Sequence, residues 1–395
     1  MASTQEDMTS MNSRSRWALI LAGGEGTRLR PLTRRLVGDD RPKQFCRLLG
    51  SGTLLEQTQR RAARLISPAR TFIVVVRHHE AFYGPLLSDL PPQGLVVQPD
   101  NRGTAPAILY GLLRLGATAT GGSVAIFPSD HYISDDEAFA GFVGRAFEAV
   151  EARPDLVVLL GVIPDRGEVG YGWIELGERI IGPASDLYRV RHFWEKPSSA
   201  LAHTLFAGGC LWNSFIVVGN IPALLALIRG AVPELFDRFL PLRSRLTTPR
   251  EHEVAQSLYA QLPSTDFSGG VLARSPANLA VLRLKGLDWN DLGEPHRFTA
   301  TLARIEAQCG ATEAKGIGLD GLPSQRADSP ERIQRRGSRG HTDDQETGRA
   351  PDHPDYLPAG TGVCADAPDG WSGSRRAVQR SGGKARAAST ICGSN

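Results

Sequence analysis

A glycine-rich segment, LAGGEGTRLRPLT at residues 21–33, closes an apolar run that begins at Trp17. Glycine lets the backbone approach a ligand closely, and backbone amides at such a turn readily bind phosphate. Arg28 adds a rigid forked guanidinium to this segment, and Lys43 in RPKQF adds a second cation shortly afterwards. These residue types together predict a loop that binds the phosphates of a nucleotide.

Two familiar phosphate-binding loops are excluded by the spacing of the glycines. A dinucleotide fingerprint needs GxGxxG, but the third glycine is missing after Gly24-Glu25-Gly26, and the GxxxxGK[ST] pattern of a P-loop fails as well. A glycine turn on its own is also compatible with a purely structural role. The interpretation therefore depends on the elements that surround the loop.

Short, β-branched apolar segments alternate with amphipathic helical patterns along the first half of the chain. Two predicted helices begin with the spacing of a capping box, Thr53 with Glu56 and Ser134 with Glu137. The predicted strands are 17–22, 71–76, 94–98, 123–127 and 156–161, followed by shorter ones near 171–175, 188–194, 214–219 and 279–284. This alternation predicts an α/β fold with a doubly wound, mostly parallel sheet that is covered on both faces.

Such sheets bind ligands at the carboxyl ends of their strands. The glycine loop follows the first predicted strand, and Asp130 comes just after the strand at 123–127. We therefore expect the loop and this carboxylate to lie at the same edge of the sheet.

Composition excludes several classes of partner. The 395 residues carry a formal net charge of +3, so no strong positive field favours nucleic acid or a membrane surface. The longest apolar runs, such as Leu156 to Val162, are far too short to span a bilayer. The five cysteines form neither a CxxC pair nor a Cys/His cluster, which gives no support for a disulfide framework or a zinc site. We expect a cytoplasmic protein.

The chain divides into three parts by composition. Residues 1–15 are polar and predicted to be disordered, and residues 16–305 form one predicted domain with halves at about 16–161 and 162–305. From about 306 the periodicity stops, and residues 306–395 are rich in Gly, Pro, Ser and Arg, which predicts a disordered, low-complexity C-terminal tail. Out-of-frame sequence is an alternative explanation of this tail.

Ordered motifs give the chain a resemblance to the sugar-nucleotide pyrophosphorylases, and PKQF points to the mannose-1-phosphate guanylyltransferases among them. The resemblance begins with GGEGTRLRPLT and covers roughly residues 17–304. The segments that resemble further family motifs are NRGTAPAI (101–108), FPSDHYI (127–133), GYGWIE (170–175), FWEKP (193–197), LWNSF (211–215) and WNDLG (289–293).

The resemblance implies a Rossmann-like, GT-A-like nucleotidyltransferase domain over 16–305. It also implies a Mg²⁺-dependent enzyme that converts GTP and mannose 1-phosphate into GDP-mannose and pyrophosphate. A homodimer is compatible with this interpretation. Another nucleotide and sugar 1-phosphate pair is an alternative, and so is a catalytically silent protein that binds a sugar nucleotide and regulates a partner.

Site residues are assigned from the positions that match the family motifs, together with Gln98, which is expected to contact the guanine base. Arg28, Lys43 and Asp130 are the predicted catalytic residues, and Asp130 with Asp291 is the predicted metal pair. The predicted nucleotide-binding residues are Leu21, Gly23, Gly24, Gly26, Thr27, Gln98, Arg102, Gly103 and Thr104. The predicted sugar-phosphate-binding residues are Gly172, Glu195, Lys196 and Asn213.

Several of these residues also have a plain structural interpretation. Asp130 is compatible with a turn cap, although Ser134 is the predicted cap of the next helix, and Asp291 with a cap for a helix that begins near Glu294. Lys196 is compatible with a surface turn before Pro197.

Three histidines near these motifs receive no catalytic role. His131 follows Asp130 and is predicted to support the site, because a reaction without a proton to transfer needs no general base. His78 and His79 have no carboxylate or cysteine at ligand spacing and are interpreted as loop residues.

The chain departs from the family pattern at three places. GDD (38–40) lengthens the loop before Lys43, WNSF lacks the usual glycine after Ser214, and TDFSGGVLA (265–273) replaces a more acidic stretch that helps to shape the sugar pocket. These changes leave the identity of the sugar more open than the type of reaction.

Overall fold

The computed structural model of the chain describes residues 15–118, 121–181 and 186–309. The predicted disorder of residues 1–15 and 306–395 falls almost wholly outside these ranges, and the last helix ends at Cys309. Within the described ranges, no helix combines the length and apolar character needed to cross a membrane.

Eleven strands lie in the described residues, and nine of them form one sheet in the order β3-β2-β1-β4-β9-β6-β10-β8-β7. The other two, β5 and β11, pair with each other. The strands are β1 Arg16–Leu21, β2 Thr71–Val76, β3 Leu95–Gln98, β4 Ser123–Pro128, β5 Tyr132–Ile133, β6 Val157–Val162, β7 Gly172–Arg179, β8 Leu187–Glu195, β9 Leu211–Asn220, β10 Leu279–Leu284 and β11 Trp289–Asn290.

Helices connect the strands and cover the sheet. The α-helices of the described residues are α1 Arg30–Val37, α2 Leu54–Ala63, α3 Glu80–Tyr83, α4 Thr104–Thr118, α5 Asp136–Ala152, α6 Ser199–Ala207, α7 Ile221–Ala231, α8 Pro233–Arg238, α9 Leu240–Arg243, α10 Glu251–Tyr259 and α11 Pro295–Cys309. A π-helical turn at Ser268–Leu272 precedes β10.

The sheet is more mixed than the mostly parallel sheet that we predict from the sequence. Strands β1 to β4 are parallel, as are β6 and β10, but β9 runs antiparallel to both β4 and β6. Strands β7 and β8 also pair antiparallel, because the connection between them is too short for the crossover that a parallel pair requires.

Both faces of the sheet are covered, as predicted. Along β1, Ala18 and Ile20 pack on one side with Phe139 of α5, whereas Leu19 packs on the other side with Ile108 of α4. All five side chains are at most 1 % exposed. Strand β1 also lies between β2 and β4. Its carboxyl end, where the glycine loop begins, is therefore flanked by a strand on each side.

The predicted helix starts are confirmed for one helix and wrong for the other. Thr53 and Glu56 form the capping box at the start of α2. The cap of α5 is Asp135, because Ser134 continues from β5 and exchanges two 3.0 Å hydrogen bonds with Asp288, beside β11. This pairing brings the WNDLG segment against the residues that follow β4.

Candidate active site

The glycine loop is held in place by two side chains that lie far from it in sequence. Gln44 Nε2 donates to the carbonyls of Ala22 at 3.1 Å and Gly24 at 2.8 Å. Asn101 Nδ2 donates to the carbonyl of Gly23 at 3.1 Å. These bonds fix the path of the loop through its carbonyl groups, so they do not use the amides that would face a phosphate.

Gly26 allows the segment that carries Lys43 to pack against this loop. Its φ is +60°, and a Cβ at this position would lie 3.2 Å from the backbone nitrogen of Lys43. The buried Lys43 ammonium lies 3.2 Å from Asp130 Oδ2 and donates to the carbonyls of Asp291 at 2.5 Å and Leu292 at 3.0 Å. Lys43 therefore connects the two segments that carry the predicted metal-binding carboxylates.

Asp291 is largely buried, and the protein supplies several partners for its carboxylate. Oδ1 accepts hydrogen bonds from the Tyr171 hydroxyl at 3.1 Å, the Gly293 amide at 3.0 Å and Arg297 Nη1 at 3.0 Å. Burial by itself would raise the pKa of Asp291, but the charge of Lys43 and its other cationic neighbours outweighs burial and holds the pKa below its usual value. Asp291 is therefore ionised, and it lies before the start of α11 at Pro295.

Arg297, in the first turn of α11, was not predicted from the sequence. It is 4 % exposed and pairs with Asp291 and also with Glu168 at 2.8 Å. Its guanidinium lies 4.4 Å from the centre of the Tyr171 ring. Arg297 thereby orients Asp291, and only the folded chain places this helical arginine beside a carboxylate and an aromatic ring.

His131 lies beside Asp130, and its side chain is 11 % exposed. Trp289 Nε1 donates to His131 Nδ1 at 3.2 Å, and His131 Nε2 lies 3.7 Å from Asp130 Oδ1. Because Nδ1 accepts, the ring hydrogen is on Nε2, toward Asp130. Burial lowers the pKa of His131 to about 4, so the ring is neutral near pH 7.

Arg28 projects from the glycine loop into the cleft and pairs with Glu294. The Nη1 to Oε1 distance is 2.7 Å, and the arginine side chain is 58 % exposed. Such exposed pairs contribute little free energy. An anionic ligand can therefore take over this guanidinium at small cost.

The next two predicted nucleotide contacts are on β3 and in the turn after it. Gln98, at the end of β3, is buried and accepts a hydrogen bond from the Tyr259 hydroxyl at 3.1 Å. Gly103 has φ +88°, and a Cβ there would lie only 2.4 Å from the carbonyl oxygen of Thr265. Only glycine fits at this position, which closes the 101–108 turn against the 265–273 segment.

Two neighbours of Gly103 behave differently from each other. Thr104 Oγ1 donates to Asp266 Oδ1 at 3.1 Å and accepts from the Phe267 amide at 2.8 Å. Arg102 instead pairs with Asp100 at 3.0 Å. Thr104 thus faces the cleft, whereas Arg102 is not among the residues that line it.

The predicted sugar-phosphate residues gather around the ends of β7, β8 and β9. Gly172 is the strand partner of Glu195, and Glu195 Oε1 lies 3.2 Å from Lys196 Nζ. Asn213 is buried, accepts from the Phe215 amide at 3.1 Å and donates to Ser268 Oγ at 3.4 Å. Burial, followed by the nearby charge of Asp266, raises the pKa of Glu195.

The fold brings almost all of the predicted residues onto one surface. The predicted residues that line the main cleft are Leu21, Gly23, Gly24, Arg28, Gln98, Gly103, Thr104, Asp130, Gly172, Glu195, Lys196, Asn213 and Asp291. An adjoining pocket shares Arg28 and Asp130 and is lined by Gly26, Thr27 and Lys43. The lining residues that sequence reasoning did not assign include Tyr171, Phe215, Asp266, Ser268 and Trp289.

His78 and His79 lie outside both of these surfaces, but the expectation that they lack a carboxylate partner is wrong. The Nε2 atoms of His78 and His79 lie 2.9 Å and 3.4 Å from the two carboxylate oxygens of Glu25. The partner comes from the glycine loop, which sequence spacing cannot reveal.

Comparisons with known proteins agree with this architecture. The nucleotidyl transferase family model matches residues 17–308. The xanthan biosynthesis protein XanB of Xanthomonas campestris pv. campestris is 31 % identical, and the match covers 70 % of this chain and 57 % of XanB. A mannose-1-phosphate guanylyltransferase of Escherichia coli is 26 % identical, with the same two coverages of 70 % and 57 %. The chain thus spans little more than half the length of these curated relatives.

A solved structure supports the same fold. The crystal structure described as a mannose-1-phosphate geranyltransferase from Thermus thermophilus superposes with a TM-score of 0.61 and 33 % sequence identity. The match covers 71 % of this chain and 76 % of that one.

Proposed function

The chain belongs to the nucleotidyl transferase family, and from that membership we propose that it transfers GMP from GTP to mannose 1-phosphate, releasing pyrophosphate. The observation that carries the proposal is the placement of two cationic side chains in the cleft. Arg28, on the loop after β1, and Lys196, at the end of β8, line the same cleft although their strands are separated in the sheet. Two cationic groups from different halves of the domain suit two phosphate-bearing substrates.

The reaction requires the protein mainly to position the two substrates and to neutralise the charge of their phosphates. A phosphate oxygen of the sugar attacks the α-phosphorus of the nucleotide, and the bond to the pyrophosphate leaving group breaks. The attacking phosphate is already mostly ionised at neutral pH, because its second pKa is about 6. No protein base is needed, which suits a site where His131 is neutral and packed against Trp289. Lys43 and Arg28 would neutralise the nucleotide phosphates, and Lys196 the sugar phosphate.

Mg²⁺ is part of the proposal. This ion prefers carboxylate oxygens and usually keeps positions for substrate phosphates. Asp130 and Asp291 both line the cleft, so their donor atoms fit the ion, and we expect these two residues to hold it. When bound, Mg²⁺ would neutralise phosphate charge. The chain's own contribution is to fix the carboxylates, Asp130 through Lys43 and Asp291 through Arg297.

A sugar other than mannose is a second candidate because the sugar end of the cleft differs from the family pattern. Phe215 lines the cleft at the position where the family pattern has glycine. Asp266 and Ser268, from the divergent 265–273 segment, line it as well. The reaction would be the same with either sugar.

The test is a pyrophosphate-release assay on the full-length protein with every combination of four NTPs and a panel of sugar 1-phosphates. We expect the highest kcat/KM for GTP with mannose 1-phosphate and no turnover without Mg²⁺. A higher value for another pair would replace the substrates and keep the reaction. Binding of a sugar nucleotide without turnover of any pair would favour the regulatory alternative.

A further inference from the structure

Glu25, His78 and His79 form a cluster of metal-ligand side chains that the proposed reaction does not use. Glu25 comes from the glycine loop, and the two histidines come from the turn that follows β2. His78 Nε2 lies 2.9 Å from Glu25 Oε1, and His79 Nε2 lies 3.4 Å from Glu25 Oε2. Within the described ranges, this group brings one ligand atom from each of three residues within 4.8 Å of one another.

We propose that this cluster, the Glu25–His78–His79 site, binds a divalent transition-metal ion of the zinc class. Two imidazoles and one carboxylate are a common donor set for zinc, and they leave a fourth position open. Donor atoms about 2.0–2.1 Å from a shared tetrahedral ion lie roughly 3.3 Å from one another. The two observed Nε2 to carboxylate distances end on different oxygens of Glu25, and one ligand atom from each residue lies within 4.8 Å of the other two, so the three side chains must draw closer together to hold the ion.

The two histidines differ in their access to solvent. His79 is 3 % exposed, whereas the His78 side chain is 50 % exposed. The site is therefore anchored on its inner side and reachable from solvent on its outer side.

Arg30 is the charge that a metal ion would compete with. Its Nη2 lies 3.6 Å from Glu25 Oε2, and its side chain is 37 % exposed. A partly exposed ion pair of this length contributes little, and the same Nη2 also donates to the Glu25 carbonyl at 3.1 Å. Arg30 can therefore keep its backbone contact when the carboxylate turns to an ion.

The site is chemically distinct from the proposed Mg²⁺ pair. Mg²⁺ prefers oxygen ligands in an octahedron, whereas imidazole nitrogen favours zinc and its transition-metal neighbours. An ion at Glu25 would tie the glycine loop to the turn after β2. The inference does not depend on the identity of the proposed substrates, because metal binding is measured without them.

The experiment titrates reduced, metal-free, full-length protein with Zn²⁺ against a chromophoric indicator, and in parallel with Co²⁺ followed by visible absorption. The test variants are Glu25→Gln and His78→Asn, both at partly exposed side chains that can be replaced without opening the core. The matched control is His192→Asn, which removes an exposed histidine 2.8 Å from Glu175.

We expect wild type and His192→Asn to bind one more equivalent of Zn²⁺ than either test variant. The affinity lost should exceed the roughly 10- to 100-fold that loss of an outer hydrogen-bond partner costs. The additional Co²⁺ absorption should lack thiolate charge-transfer bands, and millimolar Mg²⁺ should not displace the ion. Equal stoichiometry and affinity in wild type and both test variants would overturn the site, as would displacement by Mg²⁺.

Discussion

Lys196 occupies a backbone conformation that its residue type disfavours. Its φ is +47°, a left-handed conformation that costs a non-glycine residue roughly 1–2 kcal/mol. The side chain is 60 % exposed and contacts Glu195 at 3.2 Å, so it adds little packing in return. Strain of this kind persists at functional sites where the side chain is needed. Two substitutions at Lys196 separate the strain from the function.

Lys196→Gly and Lys196→Ala both remove the charge, but only glycine removes the strain. Glycine also lowers the free energy of unfolding by roughly 0.5–1 kcal/mol, because it increases the conformational entropy of the unfolded chain. The glycine variant should therefore be more stable than the alanine variant by roughly 0.75 kcal/mol, the difference between the middle values of the two effects. For a domain of this size, that difference amounts to about 1–3 °C in Tm.

The effect on the substrate should be the same in both variants. A hydrogen bond to a charged group contributes roughly 1.5–3 kcal/mol, so the KM for mannose 1-phosphate should rise roughly 10- to 150-fold. The KM for GTP should change much less. The assays are thermal unfolding and steady-state kinetics with each substrate varied in turn. A glycine variant less stable than the alanine variant would refute the strain argument, and an unchanged sugar-phosphate KM would refute the role.

Three further predictions concern two carboxylates that line the cleft and one that pairs with Arg28. Asp130→Asn should lower kcat on the order of 100-fold or more at saturating Mg²⁺ with a folded circular dichroism spectrum, and near-normal turnover would contradict the metal assignment. Glu294→Gln should free Arg28 from its 2.7 Å ion pair and lower the KM for GTP roughly 1.5- to 5-fold; a higher KM would count against it. The raised pKa of Glu195 means that the folded state binds its proton more tightly than the unfolded chain, so stability falls as pH rises from about 4.5 through the folded pKa. Glu195→Gln should therefore gain urea resistance over wild type at pH 7 and lose that advantage toward pH 4, and a constant difference would exclude the linkage.

The sequence predicted the parts of the fold that depend on local signals. The apolar runs at Thr71–Val76 and Leu279–Leu284 are strands with the predicted bounds, because continuous apolar character suits a strand covered on both faces. The cap of α5 could not be predicted, because Ser134 and Asp135 are both good caps. Pairing of Ser134 with Asp288 decides between them, and that contact spans more than half of the domain.

For the candidate site as well, the residues in local motifs could be found from the sequence. Arg28, Asp130 and Lys196 lie in short motifs near strand ends, and the structure places all three in one cleft. Gln44 lies in the PKQF motif, but neither its bonds to the glycine loop nor the pairing of Arg297 with Glu168 could be predicted from the sequence, because these partners are remote in sequence. The role of Gln44 and Arg297 is to hold loops and carboxylates in place, and that role is visible only once the elements are packed.

The structure gives a physical explanation of one departure from the family pattern, the missing glycine after Ser214. Phe215 stands where the pattern has glycine, and its φ is +62°, so the backbone keeps a conformation that suits glycine while the side chain has become aromatic. A bulky residue in this conformation costs roughly 1–3 kcal/mol and persists only when its surroundings hold it. The Asn213 carboxamide accepts the Phe215 amide, and Phe267 packs edge-on at 6.3 Å between ring centres. The strained residue thus lines the cleft next to Asn213, so Phe215 is the position from which a different sugar specificity, the second candidate, would arise while the type of reaction stayed the same.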